Sequence, residues 1–312
     1  MVLAVVGLVV GLVLLVVAAD RVVDEAESLS DRLGLSPIVV GALVVGLGTS
    51  LPEMVVSGLA AAQRDTIDLA IGNVVGSNAA NLTLVLGTGA TITRLSAPRP
   101  VFISHGGLVL ASTLAAVGLL VDGSLARWEG ALLLSAMLGA AAWLTITAPI
   151  EPALPEPTPP DDGDAGGGAG RGAMTLVVAL ATVVIGAQLL IGGALRIAEW
   201  LQASEGFIGL TILAIGTSLP ELATTIASAR RRSVEMIIGN IFGSNVFNSL
   251  AVVGVTGVVG TGRLDQTAPA GMIAMAAVTA AVVVIGVVGR SYSRLVGVGL
   301  LAVYPVIVVA AH

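Results

Sequence analysis

Two glutamates offer the chemistry in this sequence. Glu53 and Glu221 each close a hexapeptide Gly-Thr-Ser-Leu-Pro-Glu, found at 48–53 and again at 216–221. In each copy the threonine stands four residues before the glutamate and the serine three. Thr49, Ser50 and Glu53 therefore share one helical face, as do Thr217, Ser218 and Glu221. The intervening proline has no N–H, which leaves the carbonyl of Gly48 or Gly216 without its helical partner. A second pattern, Gly-Asn-x-x-Gly-Ser-Asn, occupies 72–78 and 239–245. With the next helical turn it gives one stripe of Asn73, Ser77 and Asn81 and another of Asn240, Ser244 and Asn248. Asn78 and Asn245 fall off these lines and are expected to satisfy backbone or a neighbouring helix. Gly72, Gly76, Gly239 and Gly243 form small-xxx-small pairs that permit close helix approach.

These groups are hard oxygen donors: carboxylates, hydroxyls, amide oxygens and freed carbonyls. Ca2+ takes about 6–8 such oxygens and accepts irregular geometry. Two glutamates nearly neutralise one Ca2+, whereas more than one Na+ is needed to do the same. Competition between one Ca2+ and several Na+ for shared ligands follows from that arithmetic. The chain has no cysteine and only two histidines, His105 and His312. Thiolate sites are excluded and little remains for zinc or histidine catalysis. Both histidines are expected to face solvent. A plainer alternative is two protonated glutamates hydrogen-bonded across a helix interface, with the Gly-Pro pairs as ordinary kinks.

The elements that position these residues must cross a membrane. Of 312 residues, 56% are hydrophobic and 11% charged, against about 25% charged in soluble chains. The charges cluster, leaving several runs of about 18 or more apolar residues, the length a spanning helix requires. A soluble enzyme, a nucleic-acid binder and a disordered chain are excluded. Ten helices are predicted, near 2–19, 37–62, 67–88, 101–121, 129–149, 174–195, 205–229, 234–260, 268–289 and 293–311. Residues 1–150 hold five of them and 174–312 the other five; 151–173, rich in Pro, Gly and acid, reads as a flexible linker. The first run lacks a basic start and is followed at once by Asp20, so it is expected to be retained and not cleaved as a signal peptide.

Glu53 and Glu221 are the only acids well inside predicted spans, and no Arg lies inside a span to pair with them. Each costs at least a few kcal/mol there, so a bound cation or a proton is expected to compensate. The first motif recurs at an offset of 168 residues and the second at 167. With an odd number of spans per half, the second copy must enter from the opposite face. Inverted repeats rocking about a midplane site are a transporter device. Arginines favour the odd-numbered loops by ten to four. This predicts that the odd loops and the central linker are cytoplasmic and both termini outside.

The paired GTSLPE and GN-x-x-GSN motifs in a five-plus-five layout resemble the sodium/calcium exchanger family of the cation/Ca2+ antiporter superfamily, over nearly the whole chain. The resemblance implies an all-α integral membrane protein of ten helices in two inverted repeats. It implies that Glu53 and Glu221 are the central Ca2+ ligands, shared with Na+. Thr49, Ser50, Ser77, Thr217, Ser218 and Ser244 would line the Na+ and Ca2+ positions, and backbone carbonyls near Gly46 and Ala214 would complete the outer sites. Asn81 and Asn248 match a pair of which relatives can carry Asp in the second repeat; here both are Asn. The long first and sixth helices are the ones expected to slide past the core.

The expected activity is Ca2+/Na+ antiport in the cell membrane by alternating access, without covalent chemistry or a cofactor. Ca2+ and Na+ are the expected partners, with the bilayer; no nucleic acid or obligatory protein partner is expected, and the chain should be a monomer. Ca2+/H+ or K+-dependent exchange are the alternatives in the same class, and a passive cation channel is the alternative from another. An intramembrane hydrolase is disfavoured, since no repeated His or Asp dyad occurs in the spans.

Overall fold

The computed structural model describes residues 2–62, 67–146, 168–201, 214–264 and 268–310. Its helices in chain order are α1 (Val2–Leu33), α2 (Pro37–Thr49), α3 (Leu51–Ala62), α4 (Ile67–Ile92), α5 (Arg99–Leu120) and α6 (Arg127–Ile146). The second half supplies α7 (Gly168–Trp200), α8 (Ala214–Thr217), α9 (Leu219–Arg231), α10 (Val234–Val259), α11 (Ala268–Gly289) and α12 (Arg294–Ala310). Counting α2 with α3 and α8 with α9, the described residues form ten helical segments, five on each side of 147–167. Seven are long and apolar enough to cross a membrane unaided, and α2–α3 makes an eighth that bends by 44°.

Burial follows the position of each helix in the bundle. The whole apolar stretch of α10 is buried, whereas only 28% of that of α1 is. An apolar helix with no preferred face belongs at such a centre. Ile237, Ile238, Ile241 and Phe242 of α10 pack with Ile38, Val74, Phe102 and Val282 from both halves. The helices α1 and α7 form their own layer, in which Leu15, Val22 and Val23 meet Leu176 and Val183. Their backbones touch: a Cβ on Gly11 would lie 2.6 Å from the Gly186 carbonyl, and one on Gly193 equally close to that of Ala4. At its far end α1 is tied to α9 by an ion pair between Asp24 and Arg231.

Four two-residue strands record the repeat in their register. They are β1 (Leu95–Ser96), β2 (Ser124–Leu125), β3 (Gly262–Arg263) and β4 (Ser291–Tyr292). Leu95 pairs with Tyr292 and Ser96 with Ser291, while Leu125 pairs with Gly262 and Ser124 with Arg263. The 167-residue offset carries β1 onto β3 and β2 onto β4. Exchanging the halves therefore turns the first ladder into the second. The ladders join the two halves at opposite ends of α5, which β1 precedes and β2 follows, as inverted repeats require.

Two sequence expectations meet different geometry. Residues 168–173, read as the end of the linker, form the first turns of α7; helix propagates cheaply backward from the long apolar run they adjoin. The rest of that linker lies outside the described residues, as does His312. His105 does not face solvent: it is buried, with Nδ1 3.0 Å from the Ser104 hydroxyl. The reason is that α5 begins at Arg99, so His105 lies about 9 Å along the helix at 1.5 Å per residue.

Candidate ion-binding site

The two hexapeptides break their helices in the same way. Ser50 leaves helical geometry at φ −89°, ψ 2°, and Ser218 at φ −89°, ψ 7°. Each break falls two residues before the proline, where the missing N–H frees a carbonyl. The break turns the hydroxyl-bearing segment and the glutamate-bearing helix toward a common interior. Thr49, Ser50, Glu53, Ser77, Asn81, Ser218, Glu221, Ser244 and Asn248 are all buried, both glutamates with no exposed surface. Thr217 is half-buried. Ala214 opens α8 one turn ahead of it, and residues 202–213 before it lie outside the described ones.

The contacts run between halves. Ser50 donates to Oε1 of Glu221 at 3.1 Å, and Thr49 and Ser244 stand close to the same carboxylate. Ser77 and Thr217 hydroxyls lie 3.3 Å apart. The Gly46 carbonyl accepts from Ser244 at 3.1 Å and, at 3.3 Å, from Thr49. The first motif of one half thus meets the second motif of the other. The carboxylates of Glu53 and Glu221 lie near each other, and among the described residues no arginine forms an ion pair with either.

Several oxygens of this cluster are left without a partner among the described residues. They include both oxygens of Glu53, Oε2 of Glu221, the Ser218 hydroxyl and the side-chain oxygens of Asn81 and Asn248. A buried polar group left unbonded costs about 1–3 kcal/mol, more if charged. In that set acceptor oxygens outnumber the unbonded amide nitrogens of Asn81 and Asn248, and three of the oxygens belong to carboxylates. That chemistry fits a hard cation, and the mixture of carboxylate, hydroxyl, amide and carbonyl oxygen fits Ca2+ or Na+ better than a soft metal. Among the described residues no three His, Cys, Asp or Glu cluster together, so a site here must draw on neutral oxygens.

Some groups in the motifs serve the scaffold. Asn73 donates to Ser57 at 3.0 Å, and Asn240 donates to Thr224 at the same distance and the same separation along the chain. Asn240 also accepts from Thr49 at 3.5 Å, a contact not read from the sequence. Asn78 donates to Ser249 across the halves at 2.9 Å, and Asn245 to the Ile241 carbonyl at 2.7 Å, so the off-line asparagines do satisfy neighbours. Gly239 and Gly243 let α10 touch α2: a Cβ there would stand 2.2 Å from the Ile38 carbonyl oxygen and 2.4 Å from the Ala42 Cα. One feature had no sequence signal. Asn81 and Asn248 each open a π-helical turn, Asn81–Val85 and Asn248–Val252, and Gly41–Val45 forms a third just before Gly46. Such turns displace the helical hydrogen-bond ladder and are frequent at functional sites.

The family model described as sodium/calcium exchanger protein matches residues 3–146 and 171–311. The inner membrane protein YrbG of Escherichia coli is 36% identical over 86% of this chain and 83% of its own length. The sodium/calcium exchanger MaX1 of Methanosarcina acetivorans is 28% identical over 80% and 81% of the two chains. A solved structure of the sodium-calcium exchanger NCX_Mj, soaked with Na+ and Ca2+, superposes with a TM-score of 0.87 at 26% identity, covering 100% of this chain and 99% of that one.

Proposed function

Since the chain belongs to the sodium/calcium exchanger family and is a membrane cation/Ca2+ exchanger, not an enzyme, we propose that it moves Ca2+ against Na+ through the glutamate cluster. Glu53 and Glu221 hold Ca2+ between them. Ser50, Ser77, Thr49, Thr217, Ser218 and Ser244, with Asn81, Asn248 and carbonyls at Gly46 and Ala214, complete the Ca2+ and Na+ positions. The observation that carries this reading is the pair of fully buried carboxylates with unbonded oxygens and, among the described residues, no arginine paired with either.

Coupling follows from charge. An empty site holds two buried carboxylates, and moving it between faces is penalised; a site filled by Ca2+ or by Na+ is neutralised and free to switch. Alternating access then makes exchange obligatory. The glutamates are closed to solvent in this conformation, as an occluded state requires. Leu180 and Ile191 of α7 press on Gly48 and Gly216, where an added Cβ would meet them at 2.7 and 2.6 Å. Movement of the smooth α1–α7 layer past these glycines opens one face and closes the other. The arginine bias puts the odd loops and the linker in the cytoplasm and the termini outside.

The test uses purified protein in sealed vesicles. Vesicles loaded with Na+ should take up labelled Ca2+, and vesicles holding only a pH gradient should not. Uptake driven by protons alone, or dependent on K+, would replace this reading with the corresponding exchange; uptake without any counter-ion would indicate a channel.

A further inference from the structure

At the face that carries β1 and β4, four arginines line one cleft of about 600 Å3: Arg94, Arg230, Arg232 and Arg294, with Thr93 and Ser293 between them. We propose that this cleft holds the phosphate headgroup of an anionic phospholipid. Among the described residues no acidic one lines it. Among the described residues Arg230, Arg232 and Arg294 form no ion pair, while Arg94 is held in place by Nε and Nη2 bonds to the Ser291 hydroxyl at 3.2 and 2.9 Å. Four exposed arginines lining one cleft concentrate positive charge there, which an anion would offset, and their planar forks match a phosphate. An excess of arginine on one face requires only that these residues lie on that face. Convergence in one cleft is a further property.

Arg294 sharpens the point. It opens α12, which has no acid in its first turn. A positive charge there adds to the positive end of the helix and is disfavoured without an anion nearby.

The surroundings suit a lipid better than a free phosphate. Ile92, 37% exposed, also lines the cleft, and Leu295 and Val298 continue from it down the outer face of α12 at 86% and 58% exposure. Headgroup and acyl chain therefore find adjoining surfaces. The cleft also gathers the ends of two helices that bear the ion site. Arg94 follows α4, which carries Ser77 and Asn81, and Arg230 and Arg232 stand at the end of α9, which carries Glu221 near its start. A lipid bound here ties those ends together.

The experiment is lipid retention by the full-length protein in detergent, read by native mass spectrometry, together with its thermal midpoint. Phosphatidylglycerol should be retained over phosphatidylcholine and should raise the midpoint. Arg230→Gln and Arg294→Gln should each weaken retention by about fivefold, the effect of one arginine at an anionic surface. Arg230→Lys, which keeps the charge without the fork, should weaken it less. Arg127→Gln and Arg263→Gln, in a cleft beside β2 and β3, should retain the lipid as the parent does. Equal retention of the two lipids would overturn the proposal, as would equal losses in the variants beside β2 and β3. The same rise in midpoint with inorganic phosphate alone would also overturn it. None of these readouts depends on which cations are exchanged.

Discussion

The Ser50 hydroxyl reaches across the boundary between the two halves to Glu221 Oε1 at 3.1 Å. The sequence contains a second such pair, Ser218 and Glu53, yet the Ser218 hydroxyl and both Glu53 oxygens are unbonded. Two copies of one hexapeptide thus take different roles in a single conformation. In an exchanger built on inverted repeats, the opposite conformation should reverse them.

Replacing Ser50 by alanine removes the only direct side-chain hydrogen bond shown here to a site carboxylate. Such bonds to charged groups contribute about 1.5–3 kcal/mol, so Ca2+ binding measured by calorimetry should weaken by about tenfold or more. Ser218→Ala removes no bond present in this conformation and should cost less at equilibrium. Equal losses in the two variants would contradict the asymmetry.

The contact between α10 and α2 should tolerate no added carbon. In Gly243→Ala the new methyl meets Ala42 backbone at 2.4 Å, and the helices must separate. Overpacking of this kind costs about 1–3 kcal/mol, readable as a lowered thermal midpoint. In Gly48→Ala the methyl first meets the branched end of Leu180, which can rotate away, so that midpoint should fall less. The reverse order would refute the close packing.

In the proposed site Asn248 and Asn81 add two neutral amides to two carboxylates. Asn248→Asp adds a third charge, and neutralising the site then needs a further cation or a proton. Transport by this variant should approach the parent at low pH, where the new carboxyl is protonated, and diverge from it as pH rises. Identical pH profiles for variant and parent would show that position 248 does not face the ions.

Much of this was legible in the residues. Duplication of GTSLPE and GN-x-x-GSN disclosed the repeat, its inversion and the two glutamates, because an acid inside an apolar span is costly enough to need a reason. The cross-bonding of Ser50 to Glu221 was not legible, since both copies have the same letters and only the conformation separates them. The π turns at Asn81 and Asn248 left no local pattern either; they are set by packing against neighbouring helices. His105 reads as solvent-facing because it stands near the start of the span predicted at 101–121, but Pro100 suits the first turn of a helix that begins at Arg99. Helix α5 therefore starts early enough to bury it.

The central claim is that Glu53 and Glu221 hold the same ion. The most direct measurement is equilibrium Ca2+ binding to the purified protein, with and without Na+, for the parent, Glu53→Gln and Glu221→Gln. Ca2+ binding by the parent should weaken as Na+ rises, and each single variant should lose Ca2+ binding while remaining folded. Ca2+ binding that survives in either variant, or that ignores Na+ in the parent, would contradict the account.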